Sequence, residues 1–252
     1  MKPYKILVTN DDSLDAPGIR FLIEIMKELG EVTVMAPDKP QSGTGHAITF
    51  AEPLRYKKHA QTSGYVEYSC NGTPVDCIKL AENKIMDDLP DIVVSGINHG
   101  SNASINVIYS GTMAAVIEAC IDGIPAIGFS LDSFSHAANL NPSRSYIKKI
   151  VQDVLEKGMP QDICLNVNIP AIENIKGIHV CRQAKASWQE GFETRTDPRG
   201  MDYHWLTGSF VVNDHGNDTD LFALQRGYIS AVPIHIDLTA YQAMETLKYL
   251  ED

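Results

Sequence analysis

The chain has no run of roughly 18 apolar residues, the length a membrane-spanning helix needs, and its start, MKPYKILVTNDD, turns acidic before a signal-peptide core could form. A cytoplasmic protein with no membrane partner is expected. Cysteine is also scarce. The five residues Cys70, Cys77, Cys120, Cys164 and Cys181 are odd in number and form no CxxC pair, which argues against a disulfide framework or a zinc knuckle and for small buried apolar residues. Basic residues are outnumbered, 21 Lys and Arg against 32 Asp and Glu, for a net charge of -11. A nucleic-acid polymer is therefore an unsuitable partner, because polyanion binders carry a basic face. An acidic chain that handles a small anion must bring positive charge in locally, as a bound metal ion would. Neither a GxGxxG fingerprint nor a Walker lysine motif is present, so dinucleotide or NTP binding by those routes is not expected. There is no internal repeat and no low-complexity tract.

What is present alternates between strand and helix signals. KILVT (5–9) is a short β-branched run; PGIRFLIEIMKELG (17–30) carries apolar residues at 19, 22, 23, 26 and 29, with Pro17 near the first turn and Gly30 at the stop. Strands are then expected at 31–37, 90–98, 125–131 and 162–170, and helices within 71–85, 111–123 and 143–158. Strands apolar throughout and interleaved with amphipathic helices predict an α/β fold, Rossmann-like, with a mainly parallel sheet covered by helices on both faces. All of 1–252 is read as one domain. Beyond about residue 180 the texture changes to aromatic, polar and turn residues. Residues 185–220 are read as a hairpin arm for oligomerisation, with Trp188 and Trp205 as packing or interface residues. A helix and strand follow at 220–234, and an amphipathic terminal helix is predicted over 237–252, capped by Asp237.

In an open parallel sheet, ligands gather beyond the carboxyl ends of the strands. The residues there are Asn10, Asp11 and Asp12 after the first strand, Asp38, Gln41, Ser42, Gly43 and Gly45 after the second, and Asn98, Gly100, Asn102, Ser110 and Thr112 after the third. These loops are rich in oxygen donors and poor in histidine and cysteine, which suits a hard divalent cation such as Mg2+ or Mn2+. Two readings of the Asp11–Asp12 doublet are open: Asp12 caps the following helix beside a solvated Asp11, or both carboxylates face a cation that reverses their repulsion. Ser110, Gly111 and Thr112 likewise either cap a helix or present its N-terminus to a phosphate. His46, His99 and His235 are candidate proton donors to a departing alkoxide.

Taken together, LVTNDDSLDAPGI, APDKPQSGTGHAIT, CNGTPVDCIKLA, VVSGINHGSN, YSGTMAA, NVNIP and GYISAVPIHIDLTA resemble, in order and approximate spacing, the blocks of the SurE survival-protein family of 5'-nucleotidases. The likeness runs from residue 5 to about 240 and is weakest at 132–160 and 185–215. It implies a metal-dependent phosphatase of nucleoside 5'-monophosphates, with one divalent cation per subunit and a C-terminal extension used in homodimers or homotetramers. It makes Asp11, Asp12, Ser42 and Asn98 metal ligands, and places Asn102, Ser110, Gly111 and Thr112 around the phosphate. Catalysis then falls to Asp11 and Asp12, with His235 as proton donor. The chain departs from the family pattern at Ser13 and Ser104, where glycine is usual, and at Cys120; Ser13 suits a helix start, but not a positive φ.

Rival readings are an aspartyl-phosphate type phosphatase, for which the two strand-end acids are adjacent and a DxDGT motif is missing, and a non-catalytic nucleotide sensor. Within the family reading, 3'-nucleotides and short polyphosphate remain alternative substrates.

Overall fold

The structure, a computed structural model, describes residues 2–251. Strand β1 (Tyr4–Thr9) leads through helix α1 (Pro17–Met26) to β2 (Gly30–Pro37). A hairpin of β3 (Tyr56–Thr62) and β4 (Tyr65–Cys70) follows, then α2 (Pro74–Leu80), β5 (Ile92–His99), α3 (Gly111–Ile121), β6 (Ala126–Leu131), α4 (Arg144–Lys157) and β7 (Ile163–Ile169). The extension adds β8 (Ile178–Val180), β9 (Ala186–Thr196), β10 (Asp202–Val212), α5 (Asp220–Gln225), β11 (Ile229–His235) and the short α6 (Tyr241–Met244).

The main sheet has nine strands in the order β3-β4-β2-β1-β5-β6-β7-β11-β8. From β4 to β7 all neighbours pair in parallel. Alternation along β1 sorts its residues by face. Ile6 and Val8 join Ile19, Leu22 and Ile147 under α1 and α4, whereas Leu7 joins Ile78, Met113 and Val116 under α2 and α3. This is the two-faced core expected of strands apolar throughout. Each fully buried aliphatic side chain contributes about 2 kcal/mol through water exclusion. All five cysteines are buried and free, four under α2 and α3 and Cys181 in a small cluster with Ala223 and Val232. Among the described residues no helix is long and apolar enough to cross a membrane.

Three features differ from the sequence reading. The β3–β4 hairpin lies where no strand is expected, because YKKHAQT is almost wholly exposed and its lysines suit a solvated sheet edge. Strand β11 runs antiparallel to β7, Ser230 lying beside Asn168 and His235 beside Ile163. His235 therefore sits at the amino rim, roughly 17 Å down the sheet from the Ser230 level at about 3.3 Å per residue. It cannot serve a site at the carboxyl rim of its own chain. An apolar run identifies a buried strand without stating its direction, hence the error. Finally, the terminal helix begins only at α6. Asp237 does not cap it; its Oδ1 accepts from the Thr239 N–H at 2.8 Å in a turn, and Ala240 is the N-cap.

Both serines at glycine positions adopt positive φ, +87° at Ser13 and +58° at Ser104. The expectation of a harmless helix start at Ser13 is thus overturned. Ser104 is tied down: its hydroxyl donates to the Ala184 carbonyl at 2.8 Å, and its N–H donates to buried Asp220 at 2.7 Å. Left-handed backbone costs a side-chain-bearing residue roughly 1–2 kcal/mol, and glycine loses roughly 0.5–1 kcal/mol of that advantage through unfolded-state entropy. Ser13→Gly should thus raise stability by roughly 0.5–1 kcal/mol, read as a Tm gain of about 1–3 °C. Ser104→Gly should show no such gain, because the lost hydroxyl bond offsets the relief. Calorimetry of the two variants checks the contrast.

Candidate active site

The connection leaving β1 crosses to β2 on one side while β5 lies on the other, so a crevice opens between the carboxyl ends of β1 and β5. Strand β5 is reshaped there. Its pairing with β6 shifts register between Ser95 and Asn98, and Gly96 takes φ +127°. A Cβ at Gly96 would lie 2.3 Å from the Phe129 carbonyl oxygen, so a side chain has neither the conformation nor the room. The bulge sets Asn98 and His99 at the rim.

Asp11 and Asp12 leave β1 in different directions. Asp11 is only 3% exposed, and its Oδ1 accepts from the Thr112 hydroxyl at 2.6 Å. Asp12 Oδ2 accepts from the His99 backbone N–H at 3.2 Å. The capping alternative for Asp12 is excluded, because α1 begins after Ala16 with no side-chain cap. Ser110 does cap α3, accepting from the Met113 N–H at 3.0 Å, and its own hydroxyl proton remains free to donate elsewhere. Gly111 brings the start of α3 against Asp11: a Cβ there would come 2.8 Å from the Asp11 Cβ and 3.0 Å from Oδ2.

Asn98 Nδ2 donates to the Gly100 carbonyl at 2.7 Å, turning its amide oxygen away as an available donor atom. Asn102 is buried in a polar network. Its N–H donates to Asn168 Oδ1 at 2.8 Å, its Nδ2 donates to Ser130 Oγ at 2.8 Å, and its carbonyl accepts from Asn166 Nδ2 at 2.8 Å. Ser130, Asn166 and Asn168 escape a loop-by-loop reading because they lie within strands β6 and β7. The signal of the two asparagines is polarity repeated at i and i+2 in the otherwise apolar run ICLNVNI.

Asp11, Ser42, Asn98, Asn102 and Ser110 line one cavity of about 650 Å3, a size suited to a small-molecule ligand. Its far wall carries Tyr109, Phe134 and, from the β9–β10 hairpin, Trp188 and Leu206. The sequence reading took Trp188 only for packing or interface. Of the histidines considered, His46 points elsewhere, its Nε2 2.8 Å from Glu118 Oε2 on α3. His99 lines the cavity.

The electrostatics are severe. Burial, reinforced by the charge of Asp12 and opposed by the Thr112 hydrogen bond, pushes the Asp11 carboxyl up to about 6. No Lys or Arg lines the cavity among the described residues. Asn10 Oδ1, just past the end of β1, and both ring nitrogens of His99 are buried without hydrogen-bond partners among the described residues, His99 Nδ1 lying 3.7 Å from Asp12 Oδ2. Asp11, Ser42 and Asn98 bring a carboxylate, a hydroxyl and an amide oxygen to one cavity with no basic side chain, Asp12 lying beside it against the His99 N–H, and oxygen donors of this kind fit a hard divalent cation.

The model of the family described as Survival protein SurE matches residues 6–190. The chain is 57% identical to the 5'-nucleotidase SurE of Flavobacterium psychrophilum over 96% of this chain and 95% of that protein. It is 56% identical to the 5'-nucleotidase SurE of Christiangramia forsetii over 96% and 95%. The crystal structure of the SurE protein from Aquifex aeolicus superposes with a TM-score of 0.84 at 40% identity, covering 98% of this chain and all of that one. A family model matched over more than half of the chain, with relatives 56–57% identical over nearly its whole length, places the chain in the SurE survival-protein family.

Proposed function

We propose that the chain is a 5'-nucleotidase, a phosphohydrolase that releases phosphate from nucleoside 5'-monophosphates with the help of a divalent cation, Mg2+ or Mn2+, one per subunit. The observation that carries this reading is the buried Asp11 carboxylate set against the start of α3, in a cavity that also holds Ser42 and Asn98. Charge arithmetic excludes a bare phosphate there. Two like charges 4 Å apart repel by roughly 4 kcal/mol at an effective dielectric of 20, and a phosphate would face two carboxylates.

Asp11, Asp12, Ser42 and Asn98 would hold the cation. When bound it would neutralise charge developing on the phosphoryl oxygens and lower the pKa of a water for in-line attack. The chain's own part is placement. The N–H groups at the start of α3, from Gly111 and Thr112, would take phosphate oxygens with the helix dipole behind them, the Thr112 N–H being shared with the Asp11 carboxylate, and the Ser110 hydroxyl would donate to another. Asn102 acts through the loop it pins to Ser130, Asn166 and Asn168. Thr112 fixes one oxygen of Asp11, leaving the other for the cation. The identity of a proton donor to the departing ribose oxygen is left to His99 or solvent, now that His235 lies at the other rim.

Cavity, rim and core all belong to a single domain spanning 1–252, and the arm at 185–220 is assigned to assembly into a homodimer or homotetramer. A two-stranded ribbon with 11-residue strands is marginal on its own. It exposes Phe192, Met201, Trp205 and Leu206, and the terminal Tyr241, Met244, Leu247 and Leu250 form a second uncovered apolar stripe. A second copy would bury both.

Phosphate release from a panel of nucleoside 5'- and 3'-monophosphates and tripolyphosphate, with Mg2+, Mn2+ or chelator, tests the activity. The 5'-monophosphates should be cleaved fastest, chelation should abolish turnover, and Asp11→Asn should cost roughly 100-fold or more. Absence of phosphate release from every nucleotide would leave only a nucleotide sensor.

The same Asp11 makes an opposite prediction for the metal-free protein. A carboxyl whose folded pKa lies near 6 and whose unfolded value is 3.8 favours folding while protonated. Its contribution is complete below the unfolded value and is lost as pH rises through 6. At pH 7.5 the ionised group therefore costs about 3 kcal/mol. Metal-free Asp11→Asn should melt higher than the metal-free parent at pH 7.5, the gap closing at pH 4, and added cation should stabilise only the parent.

For assembly, Trp205→Glu should reduce the mass seen by light scattering from a multiple of 27.7 kDa toward the single-chain value.

A further inference from the structure

We infer that the hairpin wall of the cavity is a nucleobase subsite selective for guanine, with Glu190 as the reading group and Trp188 as the stacking platform. This rests on the nucleotidase reading above and extends it to the substrate's base.

On β9, Trp188 and Glu190 are two residues apart and so project from the same face of the ribbon. Both line the cavity that contains Asp11 and Asn98. Trp188 is held in place: its Nε1–H donates to Asn106 Oδ1 at 2.8 Å, and its ring packs on Phe210 with centroids 5.3 Å apart. It is nevertheless 44% exposed, leaving ring surface open to a planar ligand. Across the ribbon from Glu190 stands Gly208, so no side chain opposes the carboxylate.

The nearby carboxylates of the ribbon are engaged, Glu193 with Arg195 at 2.7 Å and Asp202 with Thr196 at 2.7 Å. Glu190, among the described residues, takes part in no salt bridge or side-chain hydrogen bond. An ionised carboxylate only accepts hydrogen bonds and accommodates two parallel donors best. Guanine alone among the common bases presents two adjacent donors, N1–H and the exocyclic amine, on its pairing edge. Adenine and cytosine pair one amine donor with a ring-nitrogen acceptor that would face the carboxylate lone pairs; uracil flanks one donor with two carbonyls. Stacking on an aromatic ring tolerates any base, so Trp188 adds affinity and Glu190 the choice. Sites that hydrogen-bond a ligand reject analogues lacking the donor more sharply than apolar pockets do.

The test separates base reading from hydrolysis. In a Trp205→Phe background whose mass by light scattering matches the parent's, and where Trp188 is the sole tryptophan, quenching of its emission reports nucleoside binding without phosphate or metal. Guanosine should bind about tenfold or more tightly than adenosine, inosine should fall between them, and Glu190→Gln should bring the guanosine-to-adenosine ratio to about threefold or less. The kcat/KM ratio for GMP over AMP should fall in parallel, mainly through KM. Equal binding of the two nucleosides by the parent, or an unchanged ratio in Glu190→Gln, overturns the guanine assignment even where every nucleotide is hydrolysed. Failure of hydrolysis with preserved guanosine selectivity would instead overturn the nucleotidase reading and keep the subsite.

Discussion

The contact between the first turn of α3 and the Asp11 carboxylate is the constraint on which the site depends. It exists because residue 111 has no side chain, a Cβ there falling 2.8 Å from the Asp11 Cβ, and because Thr112 closes it with a 2.6 Å hydrogen bond. An anion-attracting helix end and a buried anion thus meet directly. Alone, the pairing leaves Asp11 poorly solvated and its carboxyl raised to about 6. The sheet supplies the rigidity to hold it, since β1 is flanked by β2 and β5 and buried on both faces.

That arrangement costs stability where chemistry is to occur, a common bargain at functional rims. The repeated positive φ at Ser13 and Ser104 belongs to the same loops. The two are not equivalent. Ser104 is enclosed and bonded to the extension, and Asp220 also accepts from the Ala184 N–H at 3.0 Å, so this strained residue ties the loop after β5 to the extension. Ser13 has no such hydroxyl contact among the described residues; only its carbonyl is used, accepting from Asn10 Nδ2 at 2.8 Å. One serine converts strain into a tether, and the other simply bears it.

Much of this was legible from sequence because it followed periodicity. The helix that starts at Pro17, the apolar strands and the oxygen-rich loops all express spacing rules that local residues obey by themselves, although the helix ends at Met26 and Gly30, expected as its stop, already opens β2. Direction and partnership do not. Nothing in GYISAVPIHIDL marks β11 as antiparallel, and the consequence was a proton donor assigned to the wrong end of the sheet. The exposed β3 strand has no buried face to betray it. Phe134 and Trp188 reach the cavity from elements remote in sequence, the latter over 80 residues from its hydrogen-bond partner Asn106. Such residues are found only once the chain has been folded, since local pattern carries no record of which surface a hairpin will cover.

The division of labour follows from how each wall is supported. The oxygen donors and the helix start hang from a sheet packed on both faces, where displacement of a carboxylate would disrupt core contacts on either side. The opposite wall stands on a two-stranded ribbon joined to the main body through few elements, with its outer residues open to solvent. Phosphate chemistry needs the stiff wall, because near-attack geometry degrades steeply with sub-ångström error. Recognition of a base tolerates more motion and can change without touching the rim: a substitution on β9 alters what is read while Asp11, Asn98 and the α3 start stay in place. A ribbon buried by a second copy would stiffen as the assembly forms, so that any preference among bases would depend on assembly while the charge arrangement at the rim would not.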